Sequence, residues 1–355
     1  MKRVLVVLAL TSLAACEPGK KESVQVGYRG VGQEINYDRS RLKEIAAANV
    51  APKSLPPAPV DTSPVKWQNV QVLNDISNAE MYRTMNAMTL WVAPKQGCAY
   101  CHNPANYGSD EKYTKIVSRR MIQMTRTINN EYKSHVQATG ATCYSCHRGN
   151  NVPLYGLWTF TDENQWQRAY LDRPDVRVQS VTIKNTSANR SSIKQAENTY
   201  ALMMNASSAL GVNCTFCHNS RSWATWQNAP PARITSLYGF RMVRDLNTNY
   251  VAPLNTTFPA YRLGARHGDS KKLSCITCHQ GAYKPLLGAQ MVKDYPALWG
   301  AHEWTRGGAN DTVAVGFKDL RSRDSVPTDA SPRLAPEMAI PLPAPVRGKA
   351  GASPR

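Results

Sequence analysis

The chain has 355 residues, a length that suits one large domain or two small ones. Its hydrophobic content is 42%, but aromatic residues make up only 8% and the mean hydropathy is −0.45, so the protein core is modest for this length and leaves room for another group in the interior. The formal charge is +18, yet the basic residues are scattered and no recognised binding module is present, so we expect no nucleic-acid partner.

The N-terminus predicts export and lipid anchoring. Residues 1–15 combine a basic start, an apolar run and small residues, which is typical of a cleaved bacterial signal peptide and too short for a spanning helix. The sequence LAAC at 13–16 looks like a lipobox, in which Cys16 receives a diacylglycerol; the alternative is an ordinary cleavage site with an incidental cysteine. No later stretch reaches the roughly 20 apolar residues that cross a bilayer. We therefore expect a lipid-anchored protein on the periplasmic face of the inner membrane.

The next predicted elements are an arm and a helix. Residues 16–64 form the arm, which ends in a Pro-rich linker from Ala51 to Pro64. A helix is predicted from Asn74 to Val92, where Asn74-Asp75 favours its start and Ala93-Pro94 its end. Pro94 to Gly97 then turns the chain toward a cysteine motif.

That motif is the most informative feature of the sequence. Eight of the nine cysteines fall into four copies of Cys-x-x-Cys-His, the attachment signature of a c-type haem. Two thiols one helical turn apart reach the two vinyl groups of one porphyrin, and the adjacent imidazole points at the iron. The predicted attachment pairs are Cys98 and Cys101, Cys143 and Cys146, Cys214 and Cys217, and Cys275 and Cys278; the predicted proximal ligands are His102, His147, His218 and His279. The sequence thus predicts four haem c groups, numbered 1 to 4 in chain order.

Three other interpretations of the cysteines are weaker. Structural disulfides suit an exported protein, but closely spaced pairs constrain the unfolded chain little. Two pairs could share one zinc ion, which would not explain a histidine in the same place four times. A thioredoxin-like redox motif is expected once.

The sixth iron ligand decides between an electron carrier and an enzyme, because an open position binds substrate or gas. Only three histidines lie outside the motifs: His135, His267 and His302. At least one haem therefore has no histidine on its distal side, and methionines are the candidates. In the first predicted helix Met81, Met85 and Met88 share one face at i, i+4 and i+7.

A second long helix is predicted from Glu111 to Val136. Met121 and His135 lie on one face of it, about 21 Å apart by helical rise, so that one helix could supply ligands to two haems. Met124 is a rival to Met121, and His135 could equally be structural. Before the third motif, Met203 and Met204 are the corresponding candidates. Core packing is the favoured interpretation of Met81, Met88 and Met204.

The chain also contains a degenerate repeat. Residues 78–150 (the first unit) and residues 196–285 (the second unit) both run helix, motif, helix, motif. Arg120-Met121 and Arg241-Met242 are each followed by a threonine six places after the methionine, which aligns Met121 with Met242. The predicted fold is mainly α, a multihaem cytochrome with two pseudo-symmetric haem-pair modules and little β structure.

The predicted domain boundaries follow from this repeat. The haem 1/haem 2 module covers 65–152, a connector 153–195 and the haem 3/haem 4 module 196–300. Alternation at 176–182 in the connector favours a short strand or hairpin. Residues 301–355 form a Pro-rich C-terminal extension that we expect to be partly disordered.

These residues resemble a known family, the tetrahaem cytochrome c subunits of purple bacterial photosynthetic reaction centres. The similarity runs from the lipobox to about residue 300. It is carried by these stretches: GYRG at 27–30, MNAMT at 85–89, WV at 91–92, RRM at 119–121, CYSCHRG at 143–149, ALMM at 201–204, CTFCHN at 214–219, RMVRDL at 241–246 and CHQG at 278–281. Relative to the best-known member, the connector is shorter and the C-terminal tail longer.

The resemblance implies the distal ligands. It implies Met85 on haem 1, Met121 on haem 2, Met203 on haem 3 and His135 on haem 4. The internal repeat alone nominates Met242 for haem 4, by analogy with Met121. We follow the family, because His135 occupies the matching Glu-Tyr-x-x-His position.

The resemblance also implies a role. The protein would be an electron-transfer subunit and not an enzyme. It would re-reduce the photo-oxidised bacteriochlorophyll special pair, which the membrane subunits hold. Electrons would come from a soluble periplasmic c-type cytochrome or a high-potential iron–sulfur protein, with haem 1 farthest from the special pair and haem 3 beside it. The rival interpretations are a multihaem reductase with one open iron and a free-standing lipoprotein electron store.

Overall fold

The computed structural model describes residues 21–25, 34–63, 66–154, 193–221, 223, 229–265 and 268–299. Several predicted features lie outside these ranges: the signal peptide, Cys16, the strand at 176–182, His267, His302 and the C-terminal extension.

The described part is mainly helical, as predicted. A hairpin of β1 (Lys21–Gln25) and β2 (Glu34–Asp38), antiparallel with Lys21 opposite Asp38, lies in the predicted arm and was not foreseen. The longer helices are α1 (Arg39–Ala48), α2 (Asn78–Val92), α3 (Tyr113–Glu131), α6 (Ile193–Leu210) and α7 (Ala232–Leu246); the short ones are α4 (Lys133–Val136), α5 (Cys143–His147) and α8 (Cys275–His279).

Helix α2 begins later than predicted. Ser77 caps it, because its hydroxyl accepts a hydrogen bond from the Glu80 amide, whereas the prediction opened the helix at Asn74. The end at Val92 is as predicted. The buried face includes Ala87 and Trp91, which face the second motif and the end of the described chain.

The predicted helix 111–136 is wrong as a single element. Helix α3 ends at Glu131, Tyr132 leaves helical geometry (φ −109°, ψ 32°), and His135 belongs to the separate turn α4. The hydroxyl of Tyr132 donates to Asp245 Oδ2 over 2.6 Å, so a contact 113 residues away accompanies the break.

Residues 291–299 pack against the first unit. Tyr295 and Leu298 are almost fully buried in one cluster with Trp91 and Cys143. The buried guanidinium of Arg126 donates from Nε to the Ala297 carbonyl (2.8 Å) and from Nη2 to Asp75 Oδ1 (2.8 Å). Residues from near the end of the described chain thereby complete the core around the first unit.

The Pro-rich segment 51–63 is packed against this core. Arg83 donates to the carbonyls of Pro56 (2.6 Å) and Leu55 (3.1 Å), and the Leu55 amide donates to the Tyr295 hydroxyl (3.0 Å). Among the described residues, no helix has both the length and the apolar character of a membrane span.

Candidate haem sites

The four Cys-x-x-Cys-His motifs take two conformations. The first and third form 3-10 turns at Gly97–Tyr100 and Cys214–Phe216, whereas the second and fourth form the short helices α5 and α8. Both helices begin with a capping box, from Thr142 to Ser145 and from Ser274 to Thr277. Each ends at a left-handed residue, at φ 49° and φ 48° respectively.

The thiols fit covalent attachment. All eight motif cysteines lie in the described part of the chain, and none of them forms a disulfide. Within the described ranges, no three His, Cys, Asp or Glu side chains come together in the manner of a zinc site. The haem interpretation is thus compatible with the state of the thiols.

Each histidine predicted to bind iron is oriented by a hydrogen bond of the same kind. In all four motif histidines and in His135, ring atom Nδ1 lies within hydrogen-bond distance of a backbone carbonyl. The partners are Tyr107 for His102 (3.1 Å), Asn150 for His147 (2.9 Å), Trp223 for His218 (3.1 Å), Ala282 for His279 (2.9 Å) and Thr235 for His135 (2.8 Å). Such a bond fixes the tautomer with the proton on Nδ1 and leaves Nε2 for a metal.

The protonation state is also suitable. Burial lowers the pKa of all five imidazoles, and that of His279 to about 4. Neutral imidazole is the form that binds a metal.

The first two motifs open into one cavity of about 1310 Å³, lined by Cys98, Cys101, His102, Cys143, Cys146 and His147. Pockets for single drug-sized ligands are about 300–1,000 Å³, so this cavity has room for more than one such group. Met85 and Met121 both line it and are half-buried.

The rival methionines differ in burial. Met81 and Met124 also line the cavity, but they are 6% and 7% exposed and belong to core clusters, which confirms core packing for Met81. Met88 lines the cavity and is half-buried, like Met85, and it packs partly against two of these clusters. Before the third motif, Met203 packs against the cluster of Leu202, whereas Met204 is 61% exposed, so the prediction of core packing for Met204 is wrong.

His135 lies opposite the fourth motif. Its ring centroid is 6.0 Å from that of His279, with 67° between the ring planes. Metal–imidazole bonds are about 2 Å long, so two rings at this separation can ligate one ion from opposite sides. The pair fits the haem 4 ligands that the family resemblance implies.

The second and fourth motifs are neighbours. The Sγ atoms of Cys146 and Cys278 are 2.7 Å apart, and Arg148 donates from Nη2 to the Cys278 carbonyl over 2.9 Å. Two predicted attachment sites, one from each unit, are therefore in contact.

Contacts of α3 recur in α7 at an offset of 118 residues. The Ser118 hydroxyl contacts the Cys101 thiol, and Ser236 Oγ lies 3.4 Å from Cys217 Sγ. The buried side chain of Asn129 bonds the backbone of Ala141, two residues before the second motif.

The side chain of Asn247 bonds the backbone of Leu273, two residues before the fourth motif, as Asn129 bonds that of Ala141. Asn129 and Asn247 were missed by sequence reasoning, although each stands at a fixed offset from its serine and could have been found that way.

This offset corrects the predicted repeat register. Met242 corresponds to Met124, not to Met121, and both Met124 and Met242 are 7% exposed in the same core cluster. The alignment that nominated Met242 was three residues out. The residue that corresponds to Met121 is Gly239.

A mainly helical frame with four Cys-x-x-Cys-His motifs, in which every motif histidine is oriented for metal ligation, defines a c-type cytochrome of the multihaem class. Comparison with known proteins narrows the class. A family model for the photosynthetic reaction centre cytochrome C subunit matches residues 17–173 and 163–299.

The photosynthetic reaction center cytochrome c subunit of Rubrivivax gelatinosus is 46% identical over 82% of this chain and 87% of its own length. That of Thermochromatium tepidum is 44% identical (83% and 79%), and that of Roseobacter denitrificans 33% (79% and 86%).

The chain belongs to the family of photosynthetic reaction centre cytochrome c subunits. It is a haem c protein and an electron carrier of the photosynthetic reaction centre, with which it associates at the membrane.

Proposed function

We propose that this chain binds four haem c groups and passes electrons, one at a time, from a soluble periplasmic donor to the photo-oxidised bacteriochlorophyll special pair. The observation that carries the proposal is the recurrence of one arrangement at four motifs, a histidine whose Nδ1 bonds a backbone carbonyl next to two thiols. Haem iron supplies the redox chemistry by changing between two oxidation states. Two side chains of the protein would hold each iron, and their identity would set its potential.

The residues that would hold the four irons are His102 with Met85, His147 with Met121, His218 with Met203, and His279 with His135. Met85 and Met121 are supported by being half-buried on the wall of the shared cavity, where Met81 and Met124 are buried in the core. Met203 is supported by the exposure of its neighbour Met204. Met–His ligation raises a haem potential and bis-His ligation lowers it, so haem 4 should have the lowest potential.

The haems should follow the order 1, 2, 4, 3 along the molecule. Motifs 1 and 2 share a cavity, and the thiols of Cys146 and Cys278 bring motifs 2 and 4 together. The loop after motif 4 then contacts the helix that leads to motif 3, since the Gly281 amide donates to the Ala209 carbonyl over 2.8 Å. Electrons would enter at haem 1 and leave at haem 3, so haem 4, with the lower potential, would lie between haems of higher potential.

The organisation into two pseudo-symmetric modules, 65–152 and 196–300, belongs to the same proposal. Its support is the offset of 118 residues that relates Ser118 to Ser236 and Asn129 to Asn247. The arm 16–64 would carry the lipid on Cys16 and hold the protein on the periplasmic face of the membrane.

The decisive experiment uses intact membranes. A redox titration should resolve four one-electron steps, and a flash should oxidise the haems within the same preparation. Haems that stay reduced after a flash would refute the photosynthetic role. Carbon monoxide binding to the native reduced protein would instead indicate an open iron and a reductase.

The same flash assay identifies the donor. Re-reduction by a c-type cytochrome steered by charge should slow markedly as salt rises, whereas re-reduction by a high-potential iron–sulfur protein that docks through apolar contact should not.

A mass spectrum of the mature polypeptide should show four covalent haems and a lipidated Cys16. A smaller haem increment would overturn the count.

A further inference from the structure

Helix α7 has a glycine in its interior, Gly239. Its backbone is helical and its φ is not positive, so no left-handed conformation requires glycine here. Alanine would favour the helix by about 1 kcal/mol over glycine. The reason for glycine must therefore lie in what surrounds it.

What surrounds it is the imidazole of His135. A Cβ atom at position 239 would lie 2.5 Å from His135 Cε1 and 2.9 Å from Nδ1, closer than non-bonded carbon atoms approach. The ring cannot simply rotate away, because Nδ1 is held 2.8 Å from the Thr235 carbonyl, one turn earlier on the same helix. Any side chain at 239 must displace the imidazole or break that bond.

The register of the two units adds a second observation. At the offset of 118, Gly239 stands where the first unit has Met121. Ser236 and Asn247, which flank it, make the same contacts as Ser118 and Asn129. The second unit thus has no side chain at the position from which the first unit is proposed to supply its distal ligand.

We propose that Gly239 is the positioning residue that selects histidine over methionine as the distal ligand of haem 4. With glycine at 239, the second unit has no thioether at the position where the first unit has Met121. The space left there would let His135, from the first unit, reach the iron opposite His279. This rests on the proposed ligation of haem 4 by the two histidines. Because bis-His ligation lowers the potential, the absence of one side chain would set the low step in the electron path.

The test is Gly239→Ala in the full haem-loaded protein. The methyl group should push His135 from the iron, so the low-spin bis-His signature of one haem should be lost. The midpoint potential of that haem should rise while the other three stay in place, and the reduced protein should bind about one equivalent of carbon monoxide. Gly108→Ala is the matched control, because its φ is not positive and its added Cβ would meet side-chain atoms of Asn106 and Gln68 at 3.3 Å or more; haem 4 should keep its spectrum and potential there.

The Gly239→Ala protein could fail to assemble, so a double variant, His135→Ala/Gly239→Ala, is made as well. It contains no imidazole at 135 with which the new methyl group could clash. If the double variant assembles as well as His135→Ala alone, the methyl–imidazole conflict is established, since the effects of the two changes are then non-additive. If Gly239→Ala destabilises the protein equally in both backgrounds, or retains an unshifted bis-His haem, the inference is wrong. A wild-type protein without any bis-His haem would instead refute the proposed ligation.

Discussion

The first unit, residues 78–150, and the second unit, residues 196–285, share a framework but differ in how they use it. Both place a serine beside a motif thiol and an asparagine against the backbone before the next motif. In the first unit, the position between these two residues holds Met121; in the second it holds Gly239. The first unit then extends past α3 into α4, and His135 fills the space beside Gly239. The two units therefore keep similar packing contacts, and they differ in the side chain at one position between them.

The two units should differ most in the effect of replacing a glycine in the turn that leads into the first motif of each, motifs 1 and 3. The effect is measured on haem loading and stability. Gly97 and Gly211 both have left-handed backbones, at φ +63° and φ +66°. A Cβ at 97 would meet nothing within 4 Å, but a Cβ at 211 would lie 2.1 Å from the Gly281 carbonyl oxygen, a backbone atom that cannot move freely.

Gly97→Ala should cost only the left-handed penalty, about 1–2 kcal/mol of unfolding free energy. Gly211→Ala should displace the loop that orients His279 and reduce loading of the proposed fourth haem. The measurement is the mass of covalent haem per chain, together with the midpoint of chemical unfolding. Full loading and similar stability of the two variants would contradict this explanation.

The comparison of the two units also shows which features could be predicted from the sequence. The motifs, the end of α2 and the mainly helical fold follow from local patterns. The break at Tyr132 does not, because it accompanies a bond to Asp245, which is distant in sequence. The repeat register failed by three residues because positions three apart lie on the same helix face, so a slip of three preserves the buried pattern. Gly239 carries no chemical signal at all, since its contribution is the absence of a side chain.

The two buried asparagines offer a test of intermediate size. Asn129 makes three hydrogen bonds, with the Ala141 amide and the carbonyls of Ala141 and Leu298, all of them buried. Asn247 makes two, both with partly buried Leu273. A buried polar group left without its partner costs about 1–3 kcal/mol.

Asn129→Ala should therefore lower the free energy of unfolding by about 3–5 kcal/mol and Asn247→Ala by about 2–4 kcal/mol. Chemical unfolding followed by far-ultraviolet circular dichroism measures both. A larger loss in Asn247→Ala would mean that the bond from Asn129 to the Leu298 carbonyl adds little to stability.

The smallest expected effect comes from a reciprocal pair of tyrosines between α3 and the segment after α7. At the same offset of 118, Tyr132 corresponds to Tyr250, and Asp245 to Thr127. Tyr132 donates to Asp245 Oδ2, and the Tyr250 hydroxyl lies 2.6 Å from Thr127 Oγ1, so each unit contributes one tyrosine to the other. Geometrically the two contacts match, and they differ in that only one involves a carboxylate.

Hydrogen bonds to charged groups contribute about 1.5–3 kcal/mol, against about 0.5–1.5 kcal/mol for neutral pairs. Tyr132→Phe should thus cost roughly twice as much unfolding free energy as Tyr250→Phe, and each retains the aromatic ring, so packing is preserved in both. Tyr132→Phe also tests α4, because loss of the bond that accompanies the break should loosen His135 and broaden the bis-His signal of haem 4. Equal losses in the two variants, with an unchanged haem 4 spectrum, would show that the break in the helix is maintained by packing alone and that the exchange of tyrosines does not contribute to ligand placement.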